Sequence, residues 1–433
     1  MSANSDLLER RKSVVPNGVG IFNTATAVSA NNALITNAEG KELIDFAGGI
    51  GVLNSGHCPE PVVKAIQDQA SKLIHTCFNV ATYDLYMDLA DELISLFPHG
   101  DKTKVMLTTT GAESVENAIK IARQYTKRKA VIAFTDGFHG RSMMAMTLTS
   151  KTSYKYNCGP FAPEVYRIQY PNFFRYNDGL DKKKFVERET KRLRESLINV
   201  VDPNNVAAII IELVQGEGGF VAAPKNYIKE LRKVCDEYGI MLIFDEVQTG
   251  FGRTGKWAAY HHYDVAPDLT TWAKSMGGGM PIGCVMGRAE VMDGAAAGTI
   301  GGTYLGNPVC CAAAIANIRY MKEIDINAKA EHVGGIIRSR FEEMQKKYPV
   351  IGEVRGVGAM LAIALVRNNN PWEPEENLTK QLIDACSDRG LVLLSAGTYK
   401  NIIRILSPLT ISDEILNKGL DILEDELSRL IAS

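Results

Sequence analysis

The segment 239–255 reads GIMLIFDEVQTGFGRTG, and its first half decides the fold. From Ile240 to Phe244 every residue is apolar, with no polar residue between. A run this short is strand-sized, and a strand apolar on both faces has to be covered on both. That is the situation of a parallel sheet held between helices. The run stops at Asp245 and passes into a loop punctuated by glycines. Open α/β sheets bind ligands beyond the carboxyl ends of their strands, so Asp245 marks the edge at which chemistry is expected.

Further strand candidates, most of them continuous apolar runs, lie outward in both directions, at 104–107, 130–134, 206–212, 269–272 and 282–286. Helical patterns fall between them. In 114–125, Val115, Ala118, Ile119, Ala122 and Tyr125 form one stripe, and a second helix is expected over 224–238. Strands alternating with helices predict an α/β fold with a mainly parallel sheet. An Ala-rich helix at 308–324 leads out of it. A helix at 329–348 and strands at 357–366 and 402–406 then form a smaller α+β unit. A hairpin over 33–45, turning at Asn37-Ala38-Glu39-Gly40, is assigned to the same unit. The expected division is 59–324 for the large domain, with 1–58 and 325–433 together making the small one.

The 433 residues are 45% hydrophobic and 23% charged, with a formal net charge of −2. That composition supports large cores and offers nothing to nucleic acid. The first dozen residues contain no apolar signal core, and no apolar run is long enough to span a bilayer, so a cytoplasmic protein is expected. The 8 cysteines form no Cys-x-x-Cys pair and no Cys/His set with zinc spacing, so no metal site is expected. Reduced thiols fit the same compartment.

The residues that follow each strand carry the candidate chemistry. After 107 comes Thr108-Thr109-Thr110-Gly111-Ala112-Glu113 and a helix start, which suits an anion on free N–H groups, or simply a helix capped by Thr110. After 134, Phe138 and His139 sit between glycines and can stack on a flat ring. Arg141 can grip a carboxylate through two parallel hydrogen bonds or lie solvated. The next strand ends in Glu212, followed by Glu217, either an acid/base pair or partners for arginines. Asp245 can keep a ring nitrogen protonated. A Walker-B magnesium site is the alternative, but no P-loop accompanies it. After 272 comes Lys274 before Gly277-Gly278-Gly279, an amine that loses its proton more easily once desolvated.

With these motifs the chain resembles the class III, ω-amino-acid aminotransferases. The resemblance runs through DFAGGIGVLNSGH (45–57), TTGAESVENAIKIAR (109–123), FHGR (138–141), IIIELVQGEGGF (209–220), LIFDEVQTGFGRTG (242–255), DLTTWAKSMGGGMPIG (268–283), GGTYLGNP (301–308) and NIIRILSPLTI (401–411). It implies the fold type I architecture of pyridoxal phosphate (PLP) enzymes, with a seven-stranded sheet in the large domain. It also implies ping-pong transfer of an amine from an ω-amino acid to 2-oxoglutarate. The implied donor is 4-aminobutyrate, with 5-aminovalerate, 6-aminohexanoate and acetylornithine or ornithine as alternatives.

The resemblance carries roles onto matching positions. Lys274 would hold the cofactor covalently and move the proton. Asp245 would pair with the ring nitrogen, and Gln248 would bond the phenolic oxygen. Phe138 and Val247 would flank the ring, with His139 beside it. Gly111 and Ala112 would bind the phosphate. Thr303 would reach the phosphate of a neighbouring subunit, implying a homodimer or a dimer of dimers. Arg141 would hold the distal carboxylate and Arg404 the α-carboxylate. Glu217 would neutralise Arg404 when no α-carboxylate is present. Ile50 would lie at the substrate mouth, and Glu212 would position the substrate side of the pocket. Leu213, Asn79, Trp272, Met276 and Gly277 depart from the family's usual pattern.

Overall fold

The structure, a computed structural model, describes residues 2–432. Met1 and Ser433, the outermost residues of the expected small domain, lie outside the described residues. Seven strands make the large sheet: β1 (Thr103–Thr108), β2 (Ala130–Phe134), β3 (Val165–Ile168), β4 (Val206–Ile211), β5 (Met241–Asp245), β6 (Leu269–Trp272) and β7 (Gly283–Arg288). Their order is β1-β7-β6-β5-β4-β2-β3. β7 alone runs against the direction of the other six.

The continuous apolar runs follow from this sandwich. Successive side chains of a strand point to opposite faces, and both faces here are dry. Ile210, Ile243 and Val285 pack with Val115, Ile119 and Ala122 of the helix Gly111–Thr126. Their neighbours Ile209, Ile211, Leu242 and Phe244 enter the opposite core with Ile228 and Leu231 of the helix Lys225–Tyr238.

Register brings the strand ends level. Ile211 lies opposite Phe244, and Asp245 opposite Thr271, so Glu212, Asp245 and the 273–275 segment share one edge. Because β7 runs the other way, its start reaches that edge, with Gly283 opposite Thr108 and Cys284 opposite Trp272. The loop from Ala273 to Ile282 therefore crosses the site.

Two four-stranded sheets complete the fold. Ser29–Asn31, Leu34–Thr36 and Glu42–Asp45 form a meander, and Leu391–Val392 adds in parallel beside Glu42–Asp45. The two ends of the chain thus meet in one sheet. The other sheet has the order Ile351–Val357, Met360–Leu365, Ile402–Ile405, Leu394–Ala396. The strand expected at 357–366 is therefore the second arm of a hairpin. Its first arm escaped notice because Gly352, Glu353, Arg355 and Gly356 break the apolar pattern. The edge strand β3 was also unexpected; all four of its residues are only half-buried and one is Arg167. No helix among the described residues is long and apolar enough to cross a membrane.

Candidate active site

A cavity of about 460 Å³ opens at the carboxyl edge of the large sheet. It gathers every site residue expected from the sequence except Thr303. Thr303 is exposed and does not line this cavity, and the same holds for Asn79.

The floor is built around Asp245, only 4% exposed. Its Oδ2 meets His139 Nδ1 at 2.7 Å, and its Oδ1 accepts from Thr271 Oγ1 at 3.0 Å and Val247 N at 3.2 Å. Burial works to lower the pKa of His139. The hydrogen bond and charge of Asp245, helped by Glu212, overcome it, so the imidazole pKa is raised. The sheet thus fixes the Asp245 carboxyl group in the cavity lining.

Lys274 stands just past the end of β6 with φ +47. A non-glycine residue in the left-handed region is strained, and Lys274 takes that conformation at the head of the short turn Lys274–Gly277. Burial depresses the ammonium pKa and Arg404 adds to that, against Asp245, Glu217 and Glu212, and the net shift is downward. Lys274 therefore yields a free amine more readily than a surface lysine.

The helix Gly111–Thr126 points its start into the cavity. Thr110 caps it by accepting from Glu113 N at 3.2 Å, and Glu113 Oε2 accepts from Thr109 N at 2.7 Å. The N–H groups of Gly111 and Ala112 have no intrahelical acceptor, as at any helix start. Gly111 is required by proximity: a Cβ there would lie 2.8 Å from Val247 Cγ1. Thr110 is therefore the N-cap, and capping leaves the N–H groups of Gly111 and Ala112 free.

Glu212 and Glu217 do different work. Both oxygens of Glu212 accept backbone N–H groups, from Gly216 and Phe138, each at 2.9 Å. Burial raises its pKa to about 7. Glu217 instead pairs with Arg404, Oε1 to Nη1 at 2.6 Å, and accepts from Tyr154 Oη at 3.1 Å. Burial opposes its ionisation, but Arg404 prevails and its pKa is lowered. Arg404 comes from the strand Ile402–Ile405 and is 4% exposed, with Nε unpartnered. Arg141 is exposed at the opening, its Cζ 4.6 Å above the ring of Tyr154. Ile50 sits at the rim on a turn in which Gly48, Gly49, Ile50 and Gly51 all have positive φ. Asp45 Oδ1 holds that turn by accepting from Ala47 N and Gly48 N, each at 2.8 Å.

Two lining residues had no sequence signal. Tyr154 lies in a short 3-10 turn after Lys151, and Phe22 arrives from the N-terminal segment. Thr271 was visible as a strand residue, but its hydroxyl contact with Asp245 needed the register.

The class-III aminotransferase family model matches residues 16–427. The chain belongs to that family. It is 43% identical to the 4-aminobutyrate aminotransferase of Escherichia coli over 98% of each chain. It is 46% identical, over 98% of each chain, to a 5-aminovalerate aminotransferase of Pseudomonas putida. Among solved structures it resembles the taurine:2-oxoglutarate aminotransferase of Bifidobacterium kashiwanohense in complex with PLP and glutamate. There the TM-score is 0.92 at 28% identity, covering 100% of this chain and 99% of that one.

Class-III aminotransferases use PLP, and this cavity fits it. It offers a buried carboxylate for a ring nitrogen, an amine of depressed pKa for an aldehyde, and uncommitted N–H groups at a helix start for a phosphate. It also offers the amide of Gln248, whose buried oxygen has no hydrogen-bond partner.

Proposed function

We propose that this aminotransferase moves the amine of an ω-amino acid, 4-aminobutyrate first, onto 2-oxoglutarate, releasing succinate semialdehyde and glutamate. The observation that carries the reading is a cavity with two arginines of which only one is neutralised. Arg141 is free to hold the carboxylate that donor and acceptor both carry at their far end. Arg404, paired with Glu217, is closed to a donor without an α-carboxylate and opens to an acceptor that has one. A permanently unpaired buried arginine would be costly, and a permanently paired one would bind nothing.

PLP, when bound, supplies an electron sink for the carbon that loses its proton. The protein's residues do the rest. Lys274 would hold the cofactor through its amine and carry the proton between the two carbon atoms. Asp245, steadied by His139 and Thr271, would keep the ring nitrogen charged. Gln248 would bond the phenolic oxygen, and Phe138 and Val247 would cover the ring faces. Gly111 and Ala112 would donate to the phosphate. Glu212, by fixing Phe138 N and Gly216 N, would hold the ring-facing loop and the Glu217 loop in one geometry. Ile50 would narrow the mouth.

Thr303 would serve a second subunit's cofactor, which makes a homodimer, alone or doubled, the working unit. Its supports are the exposure of Thr303 and of its apolar surroundings, with Ile74 and Tyr304 each 62% exposed. A cytoplasmic setting fits the free thiols at all eight cysteines. The division at 58/59 and 324/325 is proposed alongside: the large unit would supply Lys274 and Asp245, the small one Ile50 and Arg404.

The relative named for 5-aminovalerate favours a second reading, a donor one methylene longer. One methylene changes specificity by only about 1–3 kcal/mol. The test is a single-turnover absorbance measurement of the cofactor-loaded enzyme with each donor. Faster loss of the cofactor's visible band with 4-aminobutyrate, reversed by 2-oxoglutarate, supports the first reading. Faster loss with 5-aminovalerate supports the second.

A further inference from the structure

Tyr154 touches both carboxylate-handling groups of the cavity. Its hydroxyl donates to Glu217 Oε2 at 3.1 Å, on the oxygen that Arg404 leaves free. Its ring face seats the Arg141 guanidinium at 4.6 Å and has Lys151 Nζ at 5.7 Å. Its edge meets Phe138, with centroids 5.3 Å apart and planes at 68°. Burial, with the neighbouring Glu217 charge, pushes the phenol pKa up to about 12. The hydroxyl therefore keeps its proton, and acts as a donor, throughout the neutral range.

The main chain of Glu217 is pinned. Its carbonyl accepts from Gly397 N at 2.8 Å, while Gly397 O accepts from Lys151 Nζ at 3.2 Å. Gly216 N is held by Glu212. Release of Arg404 is thereby reduced to rotation of one side chain. That rotation breaks two bonds, one to Arg404 and one to Tyr154.

We propose that Tyr154 is a positioning residue that latches Glu217 onto Arg404 and sets how readily the site admits a second carboxylate. The inference rests on the two-arginine reading above and assigns it a control element. A ligand that binds only the open form has its affinity reduced by the fraction of protein that is open. Loss of the latch raises that fraction. Affinity for a dicarboxylate then rises, a gain that damaged packing would not produce.

The test is calorimetric binding of unreactive ligands to the cofactor-loaded enzyme. Glutarate carries both carboxylates of the acceptor but no oxo group, and butyrate carries only one. Tyr154→Phe removes the hydroxyl and keeps the ring under Arg141. It is expected to tighten glutarate by about tenfold, the equivalent of about 1.4 kcal/mol, which is close to the lower bound for a hydrogen bond to a charge. Butyrate should change by less than about twofold, since it does not need Arg404. Tyr154→Leu, which also removes the seat of Arg141, should weaken butyrate.

Glu217→Gln separates the two levels of the argument. If Glu217→Gln tightens glutarate and Tyr154→Phe leaves it unchanged or weaker, the latch is overturned and the two-arginine reading stands. If neither variant tightens glutarate, both are overturned.

Discussion

Glu217 Oε1 lies 2.6 Å from Arg404 Nη1, in a pair that is 17% and 5% exposed at the side chains. A buried pair is costly to break from one side, because the charge left behind is uncompensated. The second carboxylate of an acceptor is the natural replacement partner. Arg404→Gln should therefore slow the 2-oxoglutarate half-reaction by roughly 10- to 100-fold, the value of one or two hydrogen bonds to a charge. The 4-aminobutyrate half-reaction should change by no more than about threefold, as its carboxylate belongs to Arg141. Rapid-mixing absorbance of each half-reaction decides it, and equal losses would contradict the assignment.

Lys274→Ala should remove turnover almost entirely. The residue combines attachment of the cofactor with carriage of the proton, and a proton-transferring group alone is worth about 100- to 10,000-fold. Rescue by added small amines would be partial, because they restore a base but not its placement beyond β6. Substantial unassisted transamination by the variant would point to a different lysine.

The strand-end residues were legible because an apolar run broken by one charge is a strong local signal. Asp245 and Glu212 each follow such a run, and Lys274 follows a strand-sized stretch, Leu269-Thr270-Thr271-Trp272-Ala273, that carries no charge. Register then placed them on one edge, which no local pattern encodes. β3 stayed hidden because an edge strand needs only partial burial, and Val165–Ile168 includes Tyr166 and Arg167. Tyr154 stayed hidden for a different reason. Its partner Glu217 is remote in sequence, and nothing near it in sequence forms a repeating pattern. The tandem Asp245-Glu246 shows the same limit: strand geometry sends the first toward the cavity, while the second is buried beneath Ala259 and Tyr260.

That burial gives Glu246 a pH signature. Its pKa is raised from 4.5 to about 7, with burial outweighing hydrogen bonds from Thr249, Ala259 N and Tyr260 N. A raised carboxyl pKa means that the folded state binds the proton more tightly than the unfolded chain. The contribution to stability is therefore present at low pH and is lost as pH rises from 4.5 through 7. Glu246→Gln removes this titration. Relative to the parent, the variant should gain stability between pH 5 and pH 8, on the order of 3 kcal/mol across the window. Denaturant unfolding of both proteins at several pH values checks it, and a difference that does not vary with pH would show that Glu246 is ionised throughout.

Gly111→Ala tests the helix start as a cofactor cradle. The added methyl would lie 2.8 and 3.0 Å from the two methyls of Val247 and 3.4 Å from Ala273 Cβ. Overpacking of this kind costs about 1–3 kcal/mol, relieved only if Val247 or the helix start moves. Both border the same cavity, so relief on either side displaces a group that would contact the cofactor. The expected result is a folded protein, slightly less stable, whose PLP dissociation constant rises by about tenfold or more. Titration of the cofactor-free protein measures the affinity, and thermal unfolding of the same sample measures the fold. An unchanged affinity with lowered stability would mean that the strain is absorbed away from the cavity and that the first helical turn does not hold the phosphate.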